Sequence, residues 1–104
     1  MPTEHDDPLG IDRLVHEPAR YLIMAYLSVV DSADALFLQQ QTGLTWGNLS
    51  SHLSRLEAAG YLTVEKEFLD RKPHTMLRLS EEGRAAFRAY RAAMKRALED
   101  LPRP

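Results

Sequence analysis

The stretch Gly43-Leu44-Thr45-Trp46-Gly47-Asn48-Leu49-Ser50-Ser51-His52-Leu53-Ser54-Arg55-Leu56-Glu57-Ala58-Ala59-Gly60-Tyr61-Leu62 contains a helix with both ends marked. Thr45 is a good N-cap, because its hydroxyl satisfies a free N–H of the first turn. Leu49, Leu53 and Leu56 recur at i, i+4, i+7 and give the helix one buried face. Gly60 ends it, so the spacing predicts a helix from Thr45 to about Ala59. The opposite face offers Gly47, Asn48, Ser50, Ser51, Ser54 and Arg55. Asparagine pairs bidentately with adenine, arginine with guanine, and serine with bases or phosphates. A solvated surface helix has a similar composition, and this helix alone leaves both readings open. Serine is, however, a poor helix former, so the cluster Ser50, Ser51 and Ser54 asks for more than solvation.

Upstream, Gly43 suits the position just after a short helix over Ala35 to Gln41, where a left-handed backbone is cheap for glycine. That segment has Leu36, Phe37 and Leu38 in a row and reads as a strand stub running into a brief helix. Asp31-Ser32-Ala33-Asp34 is a polar break. Before it, Pro18 suits the first turn of a helix with Leu22, Ile23, Tyr26, Leu27 and Val30 as its apolar stripe. Leu9 to His16 is a short amphipathic piece, and residues 1–8 read as a disordered acidic arm.

Downstream the period changes to two. Leu62, Val64 and Phe68 share one face, with Lys66 the exception, and Thr63, Glu65 and Glu67 share the other. Leu77 and Leu79 flank Arg78 on a return strand. Between them Leu69-Asp70-Arg71-Lys72-Pro73-His74 reads as a polar loop, making a hairpin with a long basic tip. Such a tip reaches phosphates or a minor groove, although an ordinary charged loop has the same residues. Ser80 caps a last helix, with Glu81 and Glu82 at its positive end. Phe87, Tyr90, Met94, Ala97 and Leu101 follow at spacings of +3, +4, +3, +4, an a/d seam. The seam can pack on its own domain or on a second copy, and a dimer contact is the favoured reading. A dimer sets two reading helices on successive turns of a duplex, about 34–36 Å apart.

Composition narrows the classes. The 104 residues suffice for one domain, and the absence of cysteine excludes disulfides and thiolate metal sites. A chain without cysteine also suits the cytoplasm. No apolar run approaches the length of a membrane span. Net charge is −2, yet residues 45–96 hold ten basic against six acidic side chains, and the rest three against nine. A weakly acidic chain with a basic second half can still present a positive face. His5, His16, His52 and His74 are too scattered for metal ligation, with His52 read as a helix-flank residue able to touch a phosphate. The glycines stand singly, and no nucleophile–base arrangement is readable. The expectation is therefore no enzyme, no metal and no cofactor.

Taken together, residues 43–62 resemble the helix–turn–helix of winged-helix regulators similar to the MarR, ArsR and PadR groups. They are more similar still to small stand-alone regulators of that kind, with Gly47-Asn48-Leu49-Ser50-Ser51-His52-Leu53 and Leu56-Glu57-Ala58-Ala59-Gly60-Tyr61 as the motif. Glu65-Lys66 and Arg71-Lys72-Pro73-His74-Thr75 resemble the family's wing, and Leu79-Ser80-Glu81-Glu82-Gly83-Arg84 the opening of its last helix. Glu17-Pro18-Ala19-Arg20 is similar to the start of its first long helix. The resemblance spans about residues 11 to 98. It implies a mainly helical α+β fold: a winged helix–turn–helix over 9–79 with a two-stranded wing, then a dimerisation helix over 80–101 packed on the same domain. It also implies sequence-specific binding of double-stranded DNA by a homodimer, usually as a repressor. Helix 45–59 would lie in the major groove, and wing 69–74 on the minor groove or phosphates.

The DNA-facing set is Thr45, Gly47, Asn48, Ser50, Ser51, Ser54, Arg55, Arg71, Lys72 and His74, and the dimer set is Phe87, Tyr90, Met94, Ala97 and Leu101. Two positions depart from the pattern: Trp46 is bulky, and Ser54 stands where a basic residue is common. Trp46 has three readings, as a staple to the core, a wall of a ligand pocket or a DNA contact, and burial leads because tryptophan mostly serves it. Whether a small-molecule effector acts is open, since Met24, Tyr26, Trp46, Phe87 and Tyr90 suit a pocket and a core equally. The competing function is a winged-helix protein–protein interaction module without DNA binding.

Overall fold

The structure is a computed structural model that describes residues 10–102. The expected acidic arm, residues 1–8, lies outside the described residues. The elements run α1 (Pro18–Ser28), β1 (Ala33–Asp34), α2 (Ala35–Thr42), α3 (Trp46–Ala58), β2 (Leu62–Leu69), β3 (Lys72–Leu79) and α4 (Glu81–Glu99). Four helices and a three-stranded antiparallel sheet of order β1-β3-β2 make the mainly helical winged architecture that the sequence implies.

Each helix begins where a side chain can cap it. The Glu17 carboxylate accepts from Arg20 N at 2.7 Å, with Pro18 in the first turn. Asp34 Oδ1 accepts from Leu36 N at 2.9 Å, Thr45 Oγ1 from Asn48 N at 3.1 Å, and Ser80 Oγ from Gly83 N at 3.0 Å. Gly43 closes α2 at φ 71°, donating its N–H to Gln39 O at 3.0 Å. The sheet gains a strand that the hairpin pattern alone does not supply. Ala33 pairs with Leu77 and Asp34 with Met76, so the polar break holds β1.

The core gathers one side of every element. Ile23, Met24 and Leu27 of α1 meet Leu38, Leu49, Leu56, Leu62, Leu77, Leu79 and Phe87, with Leu14 and Val15 of the preceding turn. The stripe expected on α1 is rotated: Leu22 and Val30 are exposed, while Met24 and the charged Arg20 are buried. Arg20 tolerates burial because its Nε donates to Leu14 O and its Nη1 to His52 Nδ1 at 3.2 Å. Arginine has only donors, so His52 Nδ1 accepts there; the 3.8 Å approach of Glu17 to the same nitrogen is the weaker contact. His52 is thus tied to α1 through its Nδ1.

The wing differs from the expected long-tipped hairpin. Pairing runs without interruption from Leu62↔Leu79 to Leu69↔Lys72, leaving a two-residue turn of Asp70 and Arg71 at φ 51° and 65°. Two consecutive left-handed residues match the right-handed twist of the strands, and longer loops do not do so as well. Lys72, Pro73 and His74 therefore belong to β3. The pair closing such a turn exchanges both hydrogen bonds, so the next pair, Phe68↔Pro73, is a non-bonded one. Proline's missing N–H then points to the edge of β3 that β1 does not reach, where no ladder bond is lost.

Candidate nucleic-acid interface

At 100° per residue, the buried residues Leu49 and Leu56 fix the orientation of α3. Its crest is then Gly47, Ser51, Ser54 and Ala58, all exposed and all small. Asn48 and Arg55 flank the crest on one side, while Trp46, Ser50 and Glu57 flank it on the side toward the wing. A crest of small residues lets a helix approach the floor of a groove, and longer hydrogen-bonding side chains along its flank reach base edges. The predicted residues Thr45, Gly47, Asn48, Ser50, Ser51, Ser54 and Arg55 are all exposed on this one element.

Between α3 and the sheet runs an open groove lined by Trp46, Ser50, Leu53, Ser54, Glu57, Val64 and Thr75. A second hollow, on the other side of Trp46, is lined by Leu36, Lys72, Pro73, His74 and Thr75. Trp46 is 53% exposed and forms a wall of both, so the expectation of a core tryptophan is corrected. The reason is its place at the first position of α3, one turn before the helix reaches the core at Leu49. Glu57 is a groove residue that the sequence reading does not single out. Its spacing from Ser50, seven residues, is the available signal.

Arg71 and Lys72 are exposed at the wing tip, and neither is in an ion pair among those found in the described residues. His74 sits further down, its Nδ1 2.5 Å from Asp34 Oδ2, which ties β3 to the start of α2. Hydrogen bonding from His74, then from Leu36 N–H, holds the Asp34 carboxyl below its ordinary value.

The seam of α4 divides into two parts. Phe87 is only 4% exposed; its ring lies 5.4 Å from Tyr21, and Tyr90 lies 5.6 Å from Tyr21. The Tyr90 hydroxyl is 2.8 Å from His16 Nδ1. Burial pushes the Tyr90 phenol up, with Tyr21 adding to the effect. Beyond this point Met94 and Ala97 are half-buried and Leu98 and Leu101 exposed, and Tyr21, Tyr90, Arg91, Met94, Lys95 and Leu98 line a shallow trough. The residues considered for an effector pocket part company. Met24 and Phe87 are core, Tyr26 meets Phe37 edge-on, Tyr90 lines the trough, and Trp46 lies by the wing. Among the described residues no His, Asp or Glu cluster could hold a metal ion, and no helix is long and apolar enough to cross a membrane.

A family model described as a winged helix DNA-binding domain matches residues 19–98. The chain is similar to the uncharacterized protein MJ0432 of Methanocaldococcus jannaschii, 28% identical over 78 residues, covering 75% of this chain and 85% of that one. Its fold is similar to that of a transcriptional regulator homologue from Pyrococcus horikoshii OT3. The TM-score is 0.82 at 27% identity, covering 95% of this chain and 100% of that one. It is also similar in fold to overoxidized AbfR bound to DNA, with TM-score 0.71 at 19% identity, over 86% of this chain and 67% of that one.

Proposed function

The chain belongs to the winged helix DNA-binding domain family, and from that premise we propose that it is a homodimeric transcriptional repressor that reads a specific DNA duplex. The observation that carries this reading is the face of α3: a small-residue crest, flanked by Asn48 and Arg55, beside a wing with Arg71 and Lys72 at its tip. DNA reading belongs to residues 9–79, and pairing of two copies to residues 80–101, which hold α4. Phosphate attraction through the basic half brings the duplex in, and α3 reads base edges in the major groove. The wing lies over the neighbouring minor groove or its phosphates.

The trough along Tyr90, Met94 and Leu98, with Ala97 and Leu101 beyond it, is where the second copy packs. Phe87 supports this face from inside its own core. The proposed mode of action is repression, by a bound dimer that excludes other proteins from the duplex it covers.

Selection from a random duplex library at near-physiological salt tests this, with wild type beside Arg71→Ala/Lys72→Ala. Wild type should enrich an inverted repeat. The double variant should bind all duplexes more weakly. The slope of log affinity against log salt should fall by about 1 for each phosphate left unneutralised in each subunit. No enrichment, with no affinity for DNA even at low salt, would sink the reading in favour of a protein–protein interaction module.

A further inference from the structure

Phe68 is the most exposed aromatic ring among the described residues, at 78%, and neither the core nor the readout above uses it. Its surroundings are specific. Strand alternation puts Leu62, Val64, Lys66 and Phe68 on one face of the wing, opposite Leu79, Leu77, Thr75 and Pro73. Val64 and Thr75 of this face line the groove beside α3. An apolar strip therefore leaves the core, passes along the side of the wing turned toward α3, and ends in the Phe68–Pro73 pair. Glu65 and Glu67 lie on the other face. On the α3-facing side Lys66 is the one strand residue with a charge, and Asp70, Arg71 and Lys72 stand at the tip.

The pair is also stiff. The turn beyond it has two residues, Pro73 has a fixed φ, and a non-hydrogen-bonded position brings the facing side chains close. A continuous ladder up to Leu69↔Lys72 fixes the backbone that carries the ring.

We propose that Phe68, backed by Pro73, is a wedge that enters the minor groove where the wing meets the duplex, partly unstacks one base step and bends the DNA. This rests on the DNA-binding reading above. Lys66, Arg71 and Lys72 near the ring outnumber Asp70; this excess of positive charge and the continuity of the ring with the α3 face select a duplex as the occupant, and a flat ring fits between base pairs. The wedge gives sequence preference at a step that no hydrogen bond reads. Pyrimidine–purine steps unstack most easily and are the ones favoured.

The experiment uses the inverted-repeat duplex enriched by the selection, about 30 base pairs long, with 2-aminopurine at successive steps under the wing. Fluorescence and end-to-end energy transfer are read for wild type, Phe68→Ala and Phe68→Leu, after melting curves show all three folded. Wild type should raise the fluorescence at one step and shorten the end-to-end distance. Phe68→Ala should lose both and bind about tenfold more weakly, while Phe68→Leu, still an apolar wedge, should keep part of each. Equal unstacking and bending by wild type and Phe68→Ala, or none by either, overturns the wedge and leaves DNA binding intact. A change in self-association with Phe68→Ala at unchanged bending also overturns it, making the ring a protein contact. Absence of DNA binding by wild type overturns the functional reading, and the wedge falls with it.

Discussion

Gly83 is held at the point where α4 crosses the backbone of Tyr61. Ser80 N donates to Tyr61 O at 3.0 Å, and Ser80 Oγ to Gly60 O. A Cβ on Gly83 would overlap the Tyr61 carbonyl, which is main chain and cannot turn aside. Gly83→Ala should therefore destabilise by roughly 2–3 kcal/mol, seen as a lower urea midpoint, although alanine is the better helix former. Asp34 does two things at once, capping α2 and bonding His74. Its folded pKa lies below its ordinary 3.8, so the charged form stabilises the fold above that value, and the contribution is lost as pH falls through the folded pKa. Asp34→Ala should cost about 1 kcal/mol at neutral pH. The gap to wild type should close below pH 3.8, measured by denaturation at several pH values.

At the scale of elements, the winged architecture is legible because its punctuation is local. Thr45, Ser80, Gly43 and Gly60 mark helix ends by what their own side chains or dihedrals do, and the structure keeps them there. The exposed set on α3 is legible for a similar reason, since three leucines at helical spacing orient everything else on that helix. What stays hidden depends on partners distant in sequence. The place of strand β1 is one such feature: the stub expected from Ala35 forms instead at Ala33 and Asp34, because Leu77 and Met76 offer an edge there. The wing turn reads as too long because Lys72, Pro73 and His74 look like loop residues. They join a strand because the ladder below them is already in register. Residue type alone puts Trp46 in the core, whereas its position one turn ahead of Leu49 decides its exposure.

For the whole molecule the decisive element is α4, at 19 residues about 28 Å long. Its first half is held by Tyr21 and His16, and Arg84 donates to Ser28 O and Val30 O at the end of α1. Its second half, with Leu98, extends past this attachment, and Leu101 follows just beyond the helix end. Leu98→Glu should leave the melting temperature nearly unchanged, since the site is exposed, while sedimentation shows a monomer. Affinity for the inverted repeat should fall at least about 100-fold, as the advantage of two linked reading heads is lost.

In the proposed dimer, one half of α4 is fastened to the reading domain and the other half meets the partner, so the helix between them acts as a phase gauge. One residue inserted near Ala93 would turn the outer half by about 100° and advance it about 1.5 Å. The two copies would then no longer face the same side of a duplex repeating every 10–10.5 base pairs. Length changes in this helix and changes in half-site spacing therefore have to occur together, so that substitutions are free to drift along α4 where insertions are not.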